Sequence, residues 1–201
     1  MIPTKQFFTN PFVKVGGFKA LTYGLLALAG TSFTAWFWQT RFDGVLDIHF
    51  GRQFAYHIYL LDLVVSYLSI TAILFLAGLF FSKSRIRLVD VAGTTALARA
   101  PLILAPLANT FSHSQLISDY MIGMMSGEEA SQPGFMQSFL FALSVLIVLT
   151  ITIYVIVLTY KAFSVSTNLK GNKAIIIFII SMLIAEVISK IMIHNFVHPI
   201  I

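Results

Sequence analysis

The sequence predicts an all-α integral membrane protein, a bundle of five transmembrane helices with its N-terminus in the cytoplasm and its C-terminus outside. Only 10% of its 201 residues are charged and 58% are hydrophobic, and its mean hydropathy is +0.88. A soluble domain carries about 25% charged residues, so this composition cannot cover a water-exposed surface. Much of the exterior is therefore expected to face lipid, and residues 1–201 are expected to form a single transmembrane domain.

Five apolar stretches are each long enough to cross about 30 Å of hydrocarbon at about 1.5 Å per residue. They lie at 18–38, 58–81, 88–107, 135–160 and 174–193. The third stretch contains Asp90, Arg99, Pro101 and Pro106, and two readings of it stay open, a continuous helix or a broken, partly re-entrant one. A broken helix survives in a membrane only where other protein covers its freed backbone groups.

The distribution of Lys and Arg residues predicts the orientation. Nine of the thirteen lie before the first span, between the second and third, or between the fourth and fifth: Lys5, Lys14, Lys19, Lys83, Arg85, Arg87, Lys161, Lys170 and Lys173. The opposite connections hold Arg41 and Arg52, and none from 109 to 134. Short loops rich in Lys and Arg stay in the cytoplasm. This pattern predicts the stated topology.

Two outer connections are long. The first, 42–57, interleaves apolar and polar residues and is expected to lie on the membrane surface as a short helix. The second, 112–134, is rich in Met and acidic residues and is expected to be a connector with one interfacial helix, or else a substrate lid or partner-docking loop.

Faces of small residues predict where helices approach closely in lipid. On the first span the face consists of Ala20, Gly24, Ala27, Thr31 and Ala35. On the third it consists of Gly93, Ala96 and Ala100.

The segments SRIRLVDVAGTTALARAPLILAPLAN (84–109) and ITIYVIVLTYKAFSVSTNLKGNKAIIIFIISMLIAEVI (151–188) resemble bacterial members of the Yip (Ypt/Rab-interacting protein) membrane family. The similarity lies in a polar-led span with small residues and prolines, and in a span that ends in Tyr-Lys-Ala before a short Gly-Asn-Lys turn. The resemblance implies five spans, a cytoplasmic N-terminus and no enzymatic chemistry. The eukaryotic members of that family work in vesicle traffic with small GTPases.

Four ionisable residues within the spans are predicted to form an intramembrane polar cluster: Asp62, Arg99, Glu186 and Lys190. A charge near the bilayer centre costs about 2.5–3.5 kcal/mol, so these side chains should face the bundle interior or water. Arg99 and Glu186 lie about 17 and 18 Å from the cytoplasmic ends of their spans by helical rise, which predicts an Arg99–Glu186 ion pair. The cluster is either a structural network or a polar passage for protons, an ion or a lipid headgroup.

All five histidines map to the outer side: His49, His57, His113, His194 and His198. His194 and His198 are four residues apart and are weak candidates for a metal site, with Asp43, Asp47, Asp119, Glu128 and Glu129 on the same side. Their spacing matches no known metal motif, and HExxH, GxSxG, P-loop and dinucleotide-binding patterns are absent. The absence of cysteine excludes disulfides and thiol catalysis. No metal, cofactor or catalytic residue is therefore expected.

The net charge of +5 and pI of about 9.6 do not predict a nucleic-acid partner, because the basic residues sit in short clusters that flank apolar runs. The first hypothesis is a non-enzymatic, Yip-like membrane protein that acts through lipid or protein contacts, including contacts with copies of itself. The alternatives are a small transporter or channel subunit built around the buried charges, and a membrane enzyme that uses the outer histidines.

Overall fold

A computed structural model describes residues 10–51, 53–127 and 131–197. A short 3-10 turn, Pro11–Val13, precedes the first long helix. The other elements are α1 (Gly17–Phe37), β1 (Thr40–Arg41), β2 (His49–Phe50), α2 (Tyr56–Phe81), α3 (Leu88–Ala98), a 3-10 segment (Ala100–Phe111), α4 (Ser114–Ser126), α5 (Phe135–Thr167) and α6 (Gly171–Phe196).

Five of these helical segments are long and apolar enough to cross a membrane, which confirms the prediction of an all-α membrane protein with five spans. The third span is α3 together with the 3-10 segment, Leu88–Phe111. Two helices are longer than predicted, since α5 continues to Thr167 and α6 extends from Gly171 to Phe196. The extra turns lie at the ends of the apolar stretches, where hydropathy falls but helical hydrogen bonding continues.

The third span changes from α-helix to 3-10 helix at Arg99, which supports the broken-helix reading. Pro101 and Pro106 cause the change, because neither has an N–H to continue the α-helical ladder. In a 3-10 helix the N–H of residue 106 would bond the carbonyl of Ile103. Proline lacks that N–H, and the hydroxyl of Thr34 on α1 donates to the Ile103 carbonyl instead, at 3.3 Å. A neighbouring helix therefore satisfies a backbone group that the proline frees.

Helices α1 and α3 approach closely along the predicted small-residue faces. A Cβ atom on Gly24 would lie 2.5 Å from the backbone nitrogen of Leu97, and one on Gly93 would lie 2.6 Å from the carbonyl oxygen of Gly17. Neither separation accommodates a methyl group. The faces predicted from sequence therefore do lie at a helix–helix contact, and they allow backbones to meet there.

The main apolar core lies between α2 and α6. Ile70, Leu74 and Ala77 of α2 pack with Phe178 and Met182 of α6 in this cluster. Together with the α1–α3 contact, this core leaves α5 at the edge of the bundle. Only 11% of the most apolar 18-residue window of α5 is buried.

Hydrogen bonds group the connections at two ends of the bundle. Asn168 donates to the Ser84 hydroxyl at 3.2 Å, which joins the turns before α3 and before α6. At the other end, Asn109 donates to the Trp38 carbonyl at 2.6 Å, and Gln115 donates to Gln39 at 3.3 Å. We call this second end the hairpin end, because β1 and β2 form a β-hairpin there.

The first long connection differs from the predicted surface helix. It forms an antiparallel β-hairpin in which Thr40 pairs with Phe50 and Arg41 pairs with His49. The hairpin tip, residues 42–48, lies inside the bundle, where Phe42 is 2% and Val45 is 6% exposed. The surface-helix prediction was wrong because side chains of distant helices supply hydrogen-bond partners for this backbone. The sequence of the connection itself gives no sign of those partners.

Candidate functional site

All four residues predicted to form the polar cluster contact the hairpin directly. Asp62 bonds Arg41, Arg99 and Glu186 bond the hairpin tip, and Lys190 contacts both Glu186 and Asp47. The four residues therefore surround an inserted loop, and Glu186 and Lys190 also contact each other. We call these four side chains, with Arg41 and Asp47, the tip cluster.

Asp62 is fully buried on α2 and is paired with Arg41 of β1. The Arg41 Nε donates to Oδ2 at 2.8 Å and Nη2 donates to Oδ1 at 3.2 Å, so the pair is bidentate. The Arg41 guanidinium also lies 5.0 Å from the ring centroid of Phe54. Sequence reasoning missed Arg41 because it was assigned to a surface connection. The sequence did contain a signal for this pair. Asp62 is a carboxylate inside the second span, and Arg41 is a basic residue just beyond the end of the first.

Arg99 is only 2% exposed and lies at the junction between α3 and the 3-10 segment. Its Nη1 donates to the Val45 carbonyl at 3.2 Å. Within the described residues, no ion pair within 4.0 Å joins Arg99 to Glu186, so the predicted direct pair is not formed. Glu186 instead accepts a hydrogen bond from the Leu46 N–H at 2.8 Å.

The backbone of the hairpin tip therefore stands between the two charges. A Cβ atom on Gly44 would lie 2.5 Å from Glu186 Oε1, so a side chain at position 44 would displace the end of the Glu186 side chain. Arg99 and Glu186 reach the same peptide group, as expected for two residues predicted to lie level, but the loop that enters between the helices was not predicted from sequence.

Lys190 lies one turn beyond Glu186 on the same face of α6, as the spacing predicts. Its ammonium is 3.7 Å from Glu186 and is also paired with Asp47 at the base of the hairpin tip. Lys190 is about half exposed, so the cluster extends from the buried Arg99 to the surface at the hairpin end.

Asp43 and His49 are paired across the hairpin at 2.7 Å. The Asp43 hydrogen bond raises the pKa of His49 against the opposing effect of burial, and the charges of Asp43 and Asp47 raise it further. Burial pushes the pKa of Asp43 up, but the hydrogen bond and charge of His49 outweigh it, so this pKa is lowered. The two shifts show that the pair favours the ionised forms of both groups.

The ligand atoms of Asp43, Asp47 and His49 lie within 4.8 Å of one another, the spacing of a possible cation site. Asp47 is already paired with Lys190, and His49 is exposed. The weak metal candidates from sequence lie elsewhere: His194 is exposed near the end of α6, and His198 falls outside the described residues.

A groove of about 600 Å³ lies between the hairpin, α4 and α5. Its walls are mostly apolar side chains, and they include Ile117, Met121, Val145 and Leu149. Its polar lining consists of Asp47, His49, Ser114, Ser118 and Thr152. The Met-rich connection singled out from sequence supplies one wall, as α4. The hairpin wall was not foreseen, because it depends on the inserted tip.

No family model matches this chain, and neither a curated protein nor a solved structure matches it.

Proposed function

We propose that this chain is a non-enzymatic, Yip-like integral membrane protein that acts through contacts with membrane lipids, and that the groove holds one amphiphile. The observation that carries the proposal is the groove itself, with apolar walls on α4 and α5 and polar groups on the hairpin. Its volume of about 600 Å³ lies within the range of about 300–1,000 Å³ that is typical of small-molecule sites. Apolar walls suit an acyl chain, and the polar residues suit a headgroup.

The surroundings of the groove favour lipid as its occupant. From residue 135 to residue 154, Ser144 alone is buried, so this half of α5 has no protein neighbour over most of its surface. Met121 and Met125 of α4 are exposed beside it. Methionine is flexible and polarisable, which allows such a wall to adapt to chains of different shape.

The proposed location is a bacterial inner membrane, with the N-terminus in the cytoplasm and the hairpin end outside. The support is the sequence pattern of Lys and Arg, which alternates through five spans. The hydrogen bonds that group the connections at two ends are consistent with that alternation. Tags at the two termini should react with impermeant reagents on opposite sides of the membrane, and reaction on one side would contradict the proposal.

The groove is tested with a filling substitution and a matched control. Val145→Trp places an indole in the groove, whereas Leu146→Trp adds the same indole to the next residue of α5, which does not line it. Native lipid that copurifies in maltoside detergent is quantified by mass spectrometry. We expect Val145→Trp to lose most of the bound lipid and Leu146→Trp to retain it. Equal retention by both variants, or no bound lipid in the wild type, would contradict the proposal.

A second candidate function is transport through the tip cluster. It is favoured by one observation, a run of ionisable side chains from the buried Arg99 through Glu186 to the half-exposed Lys190. Buried charges in membrane proteins commonly mark ion or proton pathways. Proteoliposome flux measured at several pH values separates the candidates. A transporter produces a flux that Glu186→Gln abolishes, whereas a lipid-contact protein produces no such flux.

A further inference from the structure

The guanidinium of Arg99 has hydrogen-bonding capacity that the protein does not use. Among the described residues, its Nε and Nη2 have no hydrogen-bond partner, although Arg99 is only 2% exposed. A buried charged group without partners is costly, so such a group requires an explanation. The unpartnered atoms are adjacent on the guanidinium and form one edge of it.

Arg41 shows what fits that edge in the same protein. It uses the corresponding Nε and Nη2 atoms to hold both oxygens of the Asp62 carboxylate. This parallel fork is the geometry with which arginine recognises carboxylates and phosphates. Arg99 presents the same two donors and turns only Nη1 to a backbone carbonyl.

The nearby carboxylates are committed elsewhere. Asp62 is paired with Arg41, and Asp47 is paired with Lys190. Glu186 accepts from the Leu46 N–H and lies near Lys190. The edge of Arg99 therefore has no oxyanion of the described chain within bonding distance.

We infer that the Nε–Nη2 edge of Arg99 binds an oxyanion, a carboxylate or a phosphate, from a small solute or from a phospholipid headgroup. Arg99 does not line the groove, so this site does not depend on the proposed function. The Val45 carbonyl holds the third nitrogen and orients the guanidinium, while Nε and Nη2 stay unpartnered. Glu186 lies close enough to attract the Arg99 charge, but within the described residues it forms no ion pair with Arg99 within 4.0 Å, so the two donors of the fork lack an acceptor.

The test uses the full chain in dodecyl maltoside, which contains neither phosphate nor carboxylate. The Nε–H signal of Arg99 is followed by proton–nitrogen NMR during four separate titrations: inorganic phosphate, acetate, dioctanoyl phosphatidylglycerol and dioctanoyl glycerol. A shift with phosphate or acetate supports a soluble oxyanion, and a shift with phosphatidylglycerol alone supports a lipid headgroup. A shift with dioctanoyl glycerol, which has no phosphate, or no shift at all would overturn the inference.

Matched variants give the second readout. Arg99→Lys keeps the charge but loses the fork, and we expect it to weaken binding about tenfold or more. Arg85→Lys makes the same change at an exposed arginine of the opposite end and should bind as the wild type does. Equal affinity in both variants would overturn the inference. If Arg99→Lys does not fold, the Arg99 signal of the wild type is assigned by elimination among the five arginines of the chain. The titrations of the wild type then still decide.

Discussion

Arg99 and Glu186 hold the two ends of a single peptide group. Arg99 donates to the Val45 carbonyl at 3.2 Å, and Glu186 accepts from the Leu46 N–H at 2.8 Å. These two atoms belong to the peptide unit that links residues 45 and 46. A cation at the carbonyl and an anion at the N–H match the direction of the peptide dipole, so both charges stabilise it in the same sense.

This arrangement explains how irregular backbone lies within the bundle. A peptide group at such a position needs partners for both its donor and its acceptor. The Ser66 hydroxyl adds a further hydrogen bond at 3.3 Å, to the Phe42 carbonyl. Three side chains from three different spans thus satisfy the tip backbone, which holds the hairpin where it forms a wall of the groove.

The Arg41–Asp62 pair should be essential for stability. Asp62 is fully buried and Arg41 is 11% exposed, so Asp62→Ala leaves a mostly buried guanidinium without its counter-ion. Removing one partner of a buried ion pair costs about 3–5 kcal/mol. We therefore expect a loss of that size in the free energy of unfolding, measured by denaturation in maltoside micelles. Asp119→Ala, an exposed change on α4, should cost little, and equal stability of the two variants would contradict this account.

The Asp43–His49 pair should make the hairpin sensitive to pH. The folded pKa of His49 is raised above 6.5, so protonated His49 adds to the free energy of unfolding. This contribution is fully present below about pH 6.5 and is lost as pH rises through the raised value. The folded pKa of Asp43 is lowered below 3.8, so its contribution is present above that value and is lost as pH falls through the lowered one.

The measurement for this prediction is an NMR titration of the His49 imidazole. The wild type should titrate above 6.5, and Asp43→Asn should bring the midpoint down toward that value, because the carboxylate charge is removed. An unchanged midpoint in the variant would show that Asp43 is not the cause of the shift.

The α1–α3 contact should tolerate no added methyl group at Gly24. A Cβ atom there would lie 2.5 Å from the Leu97 backbone nitrogen, so Gly24→Ala must separate the helices. Overpacking of this kind costs about 1–3 kcal/mol. Gly16→Ala is the matched control, since nothing lies within 4 Å of its Cβ position. The melting temperatures of the two variants in micelles should differ clearly, with only Gly24→Ala below the wild type.

The five spans and the small-residue faces of α1 and α3 were predictable from sequence, but the contact between those two faces was not. Hydropathy over about 20 residues is a property of the local chain, and membrane thickness converts it directly into a helix length. Small residues at helical spacing predicted the face containing Gly24 for the same reason. A broken third span was one of two readings of Pro101 and Pro106, because proline cannot donate a backbone hydrogen bond in the interior of a helix.

The candidate site was predictable only in part. Asp62, Arg99, Glu186 and Lys190 were identified because a charge inside an apolar stretch is conspicuous, and their depths followed from helical rise. Their partners were not identified, because rise specifies height along a helix but not which helices are neighbours or what lies between them.

The sequence by itself determined that this chain is a five-span membrane protein and which charges lie within its apolar spans, since both depend on local composition. Only the tertiary structure decided that residues 42–48 enter the bundle and that one peptide group separates Arg99 from Glu186. The physical reason is that an inserted loop is stable only when side chains from distant spans converge on its backbone, and such convergence exists only once the helices have packed.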